Sequence, residues 1–355
     1  MKGPGEPSGS RQVFSILALV LALVLMALVA YIVLAMNADE VDLAPVPQKG
    51  IVPVLTIDGP GTGDNPEFSK PQGVAFAPDG TIYVADTGNN RVCVFDENGR
   101  FLFEFGGFGV AKPAPGVMAT WEPGLMNMPT GIDVAENGEV YVADFKNDQI
   151  QVFDSKGKFL RRFPDPLVRV GRGGSGYGGT GIAVTGVEVM GGLVYATDAY
   201  QVVVFTTEGE FVRQFGRPGT GLGELDRPNG LGVTRDGMIV VADSNNNRVQ
   251  ALASDGGPQW VTGEPIVELD ERVDNEFGLP RDVAITDDGS ILVVDTFEFE
   301  IVELDRTGNV INRLGERGVN PGQFNFPDAI DALGERVLIA DRGNNRVQVV
   351  EIAGR

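Results

Sequence analysis

Residues 227–250, RPNGLGVTRDGMIVVADSNNNRVQ, hold three short apolar runs separated by turn-forming residues. The first two runs, LGVT and MIVVAD, flank an Asp-Gly pair of the kind that closes a β-hairpin, and the third, RVQ, follows a run of asparagines. Near-copies recur when the chain is aligned on the aspartate that ends the second run: YVADTGNNRV, YVADFKNDQI, YATDAYQVVV, VVADSNNNRV, LVVDTFEFEI and LIADRGNNRV. The six aspartates are Asp86, Asp144, Asp198, Asp243, Asp295 and Asp341, spaced 58, 54, 45, 52 and 46 residues apart.

A unit of roughly 45 residues built from short strands has the period of a propeller blade. In the first unit, GVAFAPDGTIYVAD supplies two strands around a hairpin, and RVCVF, the turn DENG and RFLFEF supply two more. Each unit therefore predicts one four-stranded antiparallel blade, and six units predict an all-β, six-bladed β-propeller. The last unit, DAIDALGERVLIADRGNNRVQVVEI, holds only three strands. Residues 51–58, IVPVLTID, look like the outer-strand segments FLFEFG and FVRQFG, so this N-terminal strand is expected to complete the last blade and close the ring. Pro53 suits an outermost strand, whose far edge has no partner. The aspartate series reads as structural, because a short carboxylate after a strand can accept backbone N–H bonds in the next turn, with Asn90 or Arg91 as further local partners.

The unit KPQGVAFAPDGTIYVADTGNNRVCVF resembles the NHL repeat, and the resemblance runs over about residues 51–352. The first and fourth units match best, while the third and fifth lack the Asn-Arg turn. The RNA-binding members of that family present a basic surface, which a net charge of -21 opposes. Its peptide-amidating lyases hold zinc with histidines, and this chain has none. Gluconolactonase-like propellers begin with an acidic metal ligand in a Glu-Gly-Pro motif, where this chain reads KPQGVAF. The branch left by this comparison is that of anchored, extracytoplasmic NHL domains acting as sensors or protein-binding platforms.

Composition bears on the same question. The absence of histidine removes the commonest general base and transition-metal ligand. Cys93 is the only cysteine, so an intramolecular disulfide is impossible, and its place in RVCVF suggests a buried strand thiol. The charge balance opposes nucleic acid and anionic headgroups as partners. Residues 13–36, VFSILALVLALVLMALVAYIVLAM, are long enough at about 1.5 Å per residue to cross a hydrocarbon layer of roughly 30 Å. They predict one transmembrane helix, longer than the apolar core of a cleaved signal peptide. Lys2 and Arg11 precede it, and Asp39, Glu40 and Asp42 follow it, which places residues 1–12 in the cytoplasm and the propeller outside. Residues 37–49 read as a stalk and 50–355 as the propeller.

Two sets of candidate functional residues emerge. The connectors 107–126, 164–180 and 261–277 are long additions that all emerge at the same end of the ring. The first carries Met118, Trp121 and Met126, and the second carries Arg169, Arg172 and Tyr177; these are candidates for a partner surface, although Met and Trp could also fold down as local core. The second set begins the inner strands at the mouth of the channel: Gln72, Thr130, Thr185, Asn229, Arg281 and Asp328. Three residues further along each inner strand, the series is Ala75, Asp133, Glu188, Gly232, Ala284 and Asp331. Asp133, Glu188 and Asp331 could hold Ca²⁺, or ordered water and backbone donors. No other cofactor is expected.

The sequence thus predicts a single-pass, membrane-anchored propeller that binds another protein without catalysis on the extracytoplasmic side. The alternative is a divalent-metal-dependent lyase or hydrolase using Asp133, Glu188 and Asp331, with Arg281 steadying an anionic substrate. A ligand sensor is a third reading, but residues 1–12 are too short for a signalling domain and would need a partner helix.

Overall fold

The structure is a computed structural model that describes residues 50–63, 67–111, 122–164, 183–265 and 275–353. Contacts divide the chain into Met1–Val46 and Pro47–Arg355, and every described residue belongs to the second unit. The expected transmembrane segment 13–36 and stalk 37–49 lie outside the described residues, as do Met118, Trp121, Arg169, Arg172 and Tyr177. Among the described residues no helix is long and apolar enough to cross a membrane.

The second unit consists of six four-stranded antiparallel sheets, the six blades expected from the repeats. Blades 1 to 5 span residues 73–106, 129–163, 187–215, 231–262 and 280–314 in chain order. Blade 6 takes its three inner strands from 329–352 and its outermost strand from Ile51–Ile57, which pairs antiparallel with Arg346–Ile352. Pro53 lies on that outer strand beside a shift of register, where its missing N–H costs the ladder least.

The hydrophobic residues explain why blades must stack. The two middle strands of a blade are buried on both faces, as in Ile82–Asp86 and Arg91–Phe95, so they read as unbroken apolar runs rather than alternating ones. Outer strands alternate between half-buried and exposed residues, as Phe101–Gly106 does. Six clusters of buried side chains result, each at a seam between adjacent blades. The cluster joining Val74, Val84 and Phe95 of blade 1 to Leu338, Ala340 and Val349 of blade 6 closes the circle. Met126 is fully buried in the seam between blades 1 and 2, so of the two roles open to it the core role holds. Cys93 is buried as well, and burial raises its thiol pKa, which suppresses the reactive thiolate.

The six recurrent aspartates are all completely buried and act as latches. One oxygen of each accepts a backbone N–H from the connector entering its own blade: from Ser69 to Asp86, Asn127 to Asp144, Ala183 to Asp198, Asp226 to Asp243, Leu279 to Asp295 and Asn325 to Asp341. In blade 4 the second oxygen of Asp243 receives Asn246, Arg248 and Gln250 together. The turn after the latch is a single 3₁₀ turn in blades 1, 2, 4 and 6, ending on a left-handed Asn90, Asp148, Asn247 or Asn345. Blades 3 and 5, whose sequences lack the Asn-Arg turn, have no such 3₁₀ turn.

The latch predicts a graded response to mutation. Asp243→Ala strands the buried Arg248 guanidinium and is expected to cost about 3–5 kcal/mol in denaturant unfolding. Asp198→Ala removes the acceptor of the neutral donors Ala183, Ala199 and Gln201 and should cost about 1–3 kcal/mol. Equal losses would show that the guanidinium adds nothing to the latch.

Candidate functional site

Each inner strand begins at the end of the ring where the inter-blade connectors and the latch turns emerge. The six residues expected at the mouth, Gln72, Thr130, Thr185, Asn229, Arg281 and Asp328, all line one cavity of about 270 Å³ there. Close approach of the inner strands makes this ring narrow. A Cβ on Gly73 would lie 2.0 Å from the Thr130 carbonyl oxygen, and one on Gly186 would lie 2.5 Å from that of Asn229.

Much of the polar chemistry at the mouth is already engaged in joining blades. The Thr130 hydroxyl donates to the Thr185 carbonyl at 2.9 Å, and the Thr185 hydroxyl donates to that of Pro228 at 3.0 Å. Arg281 pairs through Nε with Asp328 at 2.7 Å, joining blades 5 and 6. The cation proposed to steady an anionic substrate thus already carries a carboxylate partner. Its side chain keeps 24% exposure, so the far side of the guanidinium faces the cavity.

Deeper in the channel, Ala75, Asp133, Glu188, Gly232, Ala284 and Asp331 occupy equivalent positions, each facing the residue three before its blade's latch aspartate. The three carboxylates reach sideways to the backbone. Asp133 accepts the N–H of Val189 in blade 3 at 2.6 Å and that of Val134 at 2.7 Å. Asp331 accepts the N–H of Phe76 in blade 1 at 2.6 Å and that of Ala332 at 2.7 Å. Glu188 lies beside the backbone of Val233 in blade 4.

A fourth carboxylate, Asp282, belongs to the same system and was missed in the sequence reading. It lines the mouth cavity and accepts the N–H of Ile330 in blade 6 at 3.1 Å. The signal was in the column Gly73, Gly131, Gly186, Gly230, Asp282 and Ala329, where an aspartate replaces residues that are otherwise glycine or alanine. Its neighbour in the ring, Gly230, leaves the room it needs, since a Cβ there would lie 1.9 Å from Asp282 Oδ1.

Asp133, Asp282 and Asp331 clip blades 2 to 3, 5 to 6 and 6 to 1, and Glu188 lies beside blade 4. They retain only partial exposure, along the channel, with protein on every other side. Burial first, and then mutual repulsion for Asp331 and Glu188, favours their protonated forms. Asp133 is pushed up to about 6, Asp331 to about 7 and Asp282 to about 8, while Glu188 lies well above the ordinary carboxylate range. Among the described residues, no group of three or more His, Cys, Asp or Glu is arranged to hold a metal ion. With their oxygens directed to backbone donors, Asp133, Glu188 and Asp331 do not present a ready Ca²⁺ ligand set.

The raised values set a pH dependence. A carboxyl group whose pKa is higher in the folded than in the unfolded chain stabilises the fold fully below its unfolded value, near 4, and loses that contribution as pH rises through the folded value. Stability should therefore fall between about pH 5 and pH 8, the window of Asp133, Asp331 and Asp282. Asp282→Asn retains an acceptor for Ile330, and its stability relative to wild type should improve by on the order of 1 kcal/mol across that window. Denaturant unfolding at pH 5, 6.5 and 8 measures both slopes, and a wild-type stability that rises with pH would contradict the assignment.

Comparison with known proteins agrees with this architecture. The family model described as NHL repeat matches residues 68–95, 126–153 and 225–252, which fall in blades 1, 2 and 4. NHL repeat-containing protein 3 of Mus musculus is 28% identical over 209 residues, covering 54% of this chain and 58% of that protein. Protein brain tumor of Drosophila melanogaster is 32% identical over 109 residues, covering 30% of this chain and 10% of that protein. The chain thus spans little more than half of the first relative and a tenth of the second. Among solved structures, a structural-genomics protein of unknown function from Bacteroides thetaiotaomicron superimposes with a TM-score of 0.61 at 17% identity, covering 85% of this chain and 76% of that one. Kuenenia stuttgartiensis hydrazine synthase gives 0.53 at 13% identity, covering 83% and 99%. At these identities the likeness is one of fold alone. This chain carries NHL repeats and folds as a six-bladed β-propeller.

Proposed function

We propose that this chain is a single-pass membrane protein whose propeller stands on the extracytoplasmic side and binds another protein without catalysing a reaction. The observation that carries this reading is the convergence of six polar side chains of five kinds on one cavity, at the end of the ring where the extended connectors emerge. Loops on one face of a rigid scaffold are the usual site of recognition. The chain enters the propeller at Gly50, whose carbonyl accepts the N–H of Ala353. Both chain ends of the ring thus lie at the end opposite the mouth. The apolar segment 13–36 and its flanking charges support the membrane placement.

The enzymatic reading has less support. One structure with this type of fold is a virginiamycin B lyase of Staphylococcus aureus made catalytically inactive by a histidine-to-alanine change. The present chain has no histidine to play such a part. Its channel carboxylates are held by backbone N–H groups, which leaves them poorly placed as a metal-activating set.

Cross-linking in native membranes, followed by capture of the tagged full-length chain, tests the proposal. A stoichiometric protein partner is expected with wild type. Replacing residues 112–121 by a short Gly-Ser linker should reduce its recovery at least tenfold while leaving the chain in the carbonate-washed membrane pellet. A chain released by the wash would overturn the anchor, and the absence of any stoichiometric partner would overturn the binding role.

A further inference from the structure

Blade 5 departs from the others at its latch turn. Where blades 1, 4 and 6 place asparagines and an arginine, blade 5 reads Phe297-Glu298-Phe299-Glu300. Its latch aspartate is held by backbone donors alone, from Gly278, Leu279, Phe297 and Glu298. The side chains of the turn are therefore released from the structural task they perform elsewhere.

Those side chains form an aromatic cluster on the mouth-side face. Phe297 and Phe299 both pack edge-on against Phe326, with ring centroids 6.4 and 5.2 Å apart. Phe297 remains 54% exposed and Phe326 37%. Phe299 and Phe326 also adopt left-handed backbone conformations, with φ of 59° and 49°. The turn position of Phe299 is held in four other blades by asparagine or aspartate, residues that tolerate this conformation better. The left-handed backbone of Phe326 recurs at Lys70, Met128 and Arg227, so the departure of blade 5 is a phenylalanine at the position of Phe299, together with aromatic exposure beside it. Phe326 is two residues from Asp328, which lines the mouth cavity.

The charges nearby specify what would cover the rings. Arg313 is engaged by Glu276 and Glu300, and Arg317 lies over the ring of Phe299 at 5.0 Å. Glu298, exposed between the two phenylalanines, has no side-chain hydrogen bond or ion pair among the described residues. An unpaired carboxylate flanked by exposed rings, on a chain of net charge -21, complements a cation set beside an apolar group.

We propose that Phe297, Phe299, Phe326 and Glu298 form a docking site for an extended protein segment, in which an aliphatic or aromatic side chain seats on the rings and an adjacent Lys or Arg pairs with Glu298. This inference rests on the protein-binding reading of the propeller and names the spot on its face where recognition occurs.

The test is panning of the full-length chain in detergent micelles against a displayed library of random 12-residue peptides, followed by affinity measurement of the enriched peptides. Those peptides should carry an apolar residue next to Lys or Arg. Phe297→Ser combined with Phe326→Ser should weaken them at least tenfold, and Glu298→Gln should weaken them several-fold and reduce their salt dependence. Phe211→Ser alters an exposed phenylalanine on the outer strand of blade 3 and should leave binding unchanged. Matching melting curves establish that the variants are folded. Peptides that bind wild type and the double variant equally would overturn the site while leaving the platform reading intact. Failure to enrich any peptide would overturn the site, as would concentration-dependent self-association of the chain that the double variant abolishes; the membrane cross-linking experiment judges the platform reading separately.

Discussion

The pairing of Ile51–Ile57 with Arg346–Ile352 is the constraint on which the rest of the molecule depends. The second strand of a blade is buried on both faces, as in Ile82–Asp86, Ile239–Asp243 and Ile291–Asp295, so each blade is stable only between two neighbours. An open stack of six would leave two such faces in water, and each buried apolar side chain exposed there would forgo roughly 1.5–3 kcal/mol. Completing blade 6 with the first strand joins the chain ends and gives every blade two partners. No disulfide is available to do this work, because the chain has a single, buried cysteine.

Closure also determines what the channel can be. Six inner strands brought together around one axis approach so closely that glycine or alanine holds five of the six positions in the tightest column. The exception, Asp282, and the nearby Asp133, Glu188 and Asp331 turn their oxygens to the backbone of the next blade. Three of the six seams carry such a hydrogen-bonded clip, and Glu188 stands at a fourth. The remaining seams, between blades 1 and 2 and between 4 and 5, have Ala75 and Gly232 in the carboxylate column. Carboxylates in a narrow channel can look like a metal site from the sequence. What separates the two readings is the direction of the oxygens, and here they point along the ring towards backbone N–H groups.

Legibility in the sequence followed physical range. Blade number, the strand pattern and the closing strand could be read because each depends on local alternation and on a repeat that aligns by its aspartate. The ring of Gln72, Thr130, Thr185, Asn229, Arg281 and Asp328 could be read because equivalent positions in a closed repeat must converge. The pairing of Arg281 with Asp328 could not, since it crosses a seam and spans 47 residues. Asp282 is less legible because the other carboxylates stand three residues beyond the mouth, whereas it stands one residue beyond, in a column otherwise of glycine and alanine. Met126 was ambiguous for a different reason: an apolar residue in a long connector is equally suited to a partner or to the seam beneath, and only its complete burial decides between them.

A repeat that solves the stability problem six times over leaves room for local departures. In most blades the turn after the latch is committed to holding the buried aspartate, through asparagine, glutamine or arginine at fixed offsets. Blade 5 transfers that duty to backbone N–H groups, and its turn side chains become available for another purpose. The substitution replaces polar, locally satisfied residues by exposed rings in strained conformations, which is unfavourable for a free surface in water. The left-handed backbone belongs to the repeat, shared with Asn90, Asp148, Asn247 and Asn345, but a phenylalanine in place of asparagine there, beside the exposed ring of Phe297, is best explained by a gain outside the fold. Regularity therefore serves recognition in a specific way: with stability supplied by the seams and latches, a single turn can depart from the pattern and carry specificity without putting the scaffold at risk.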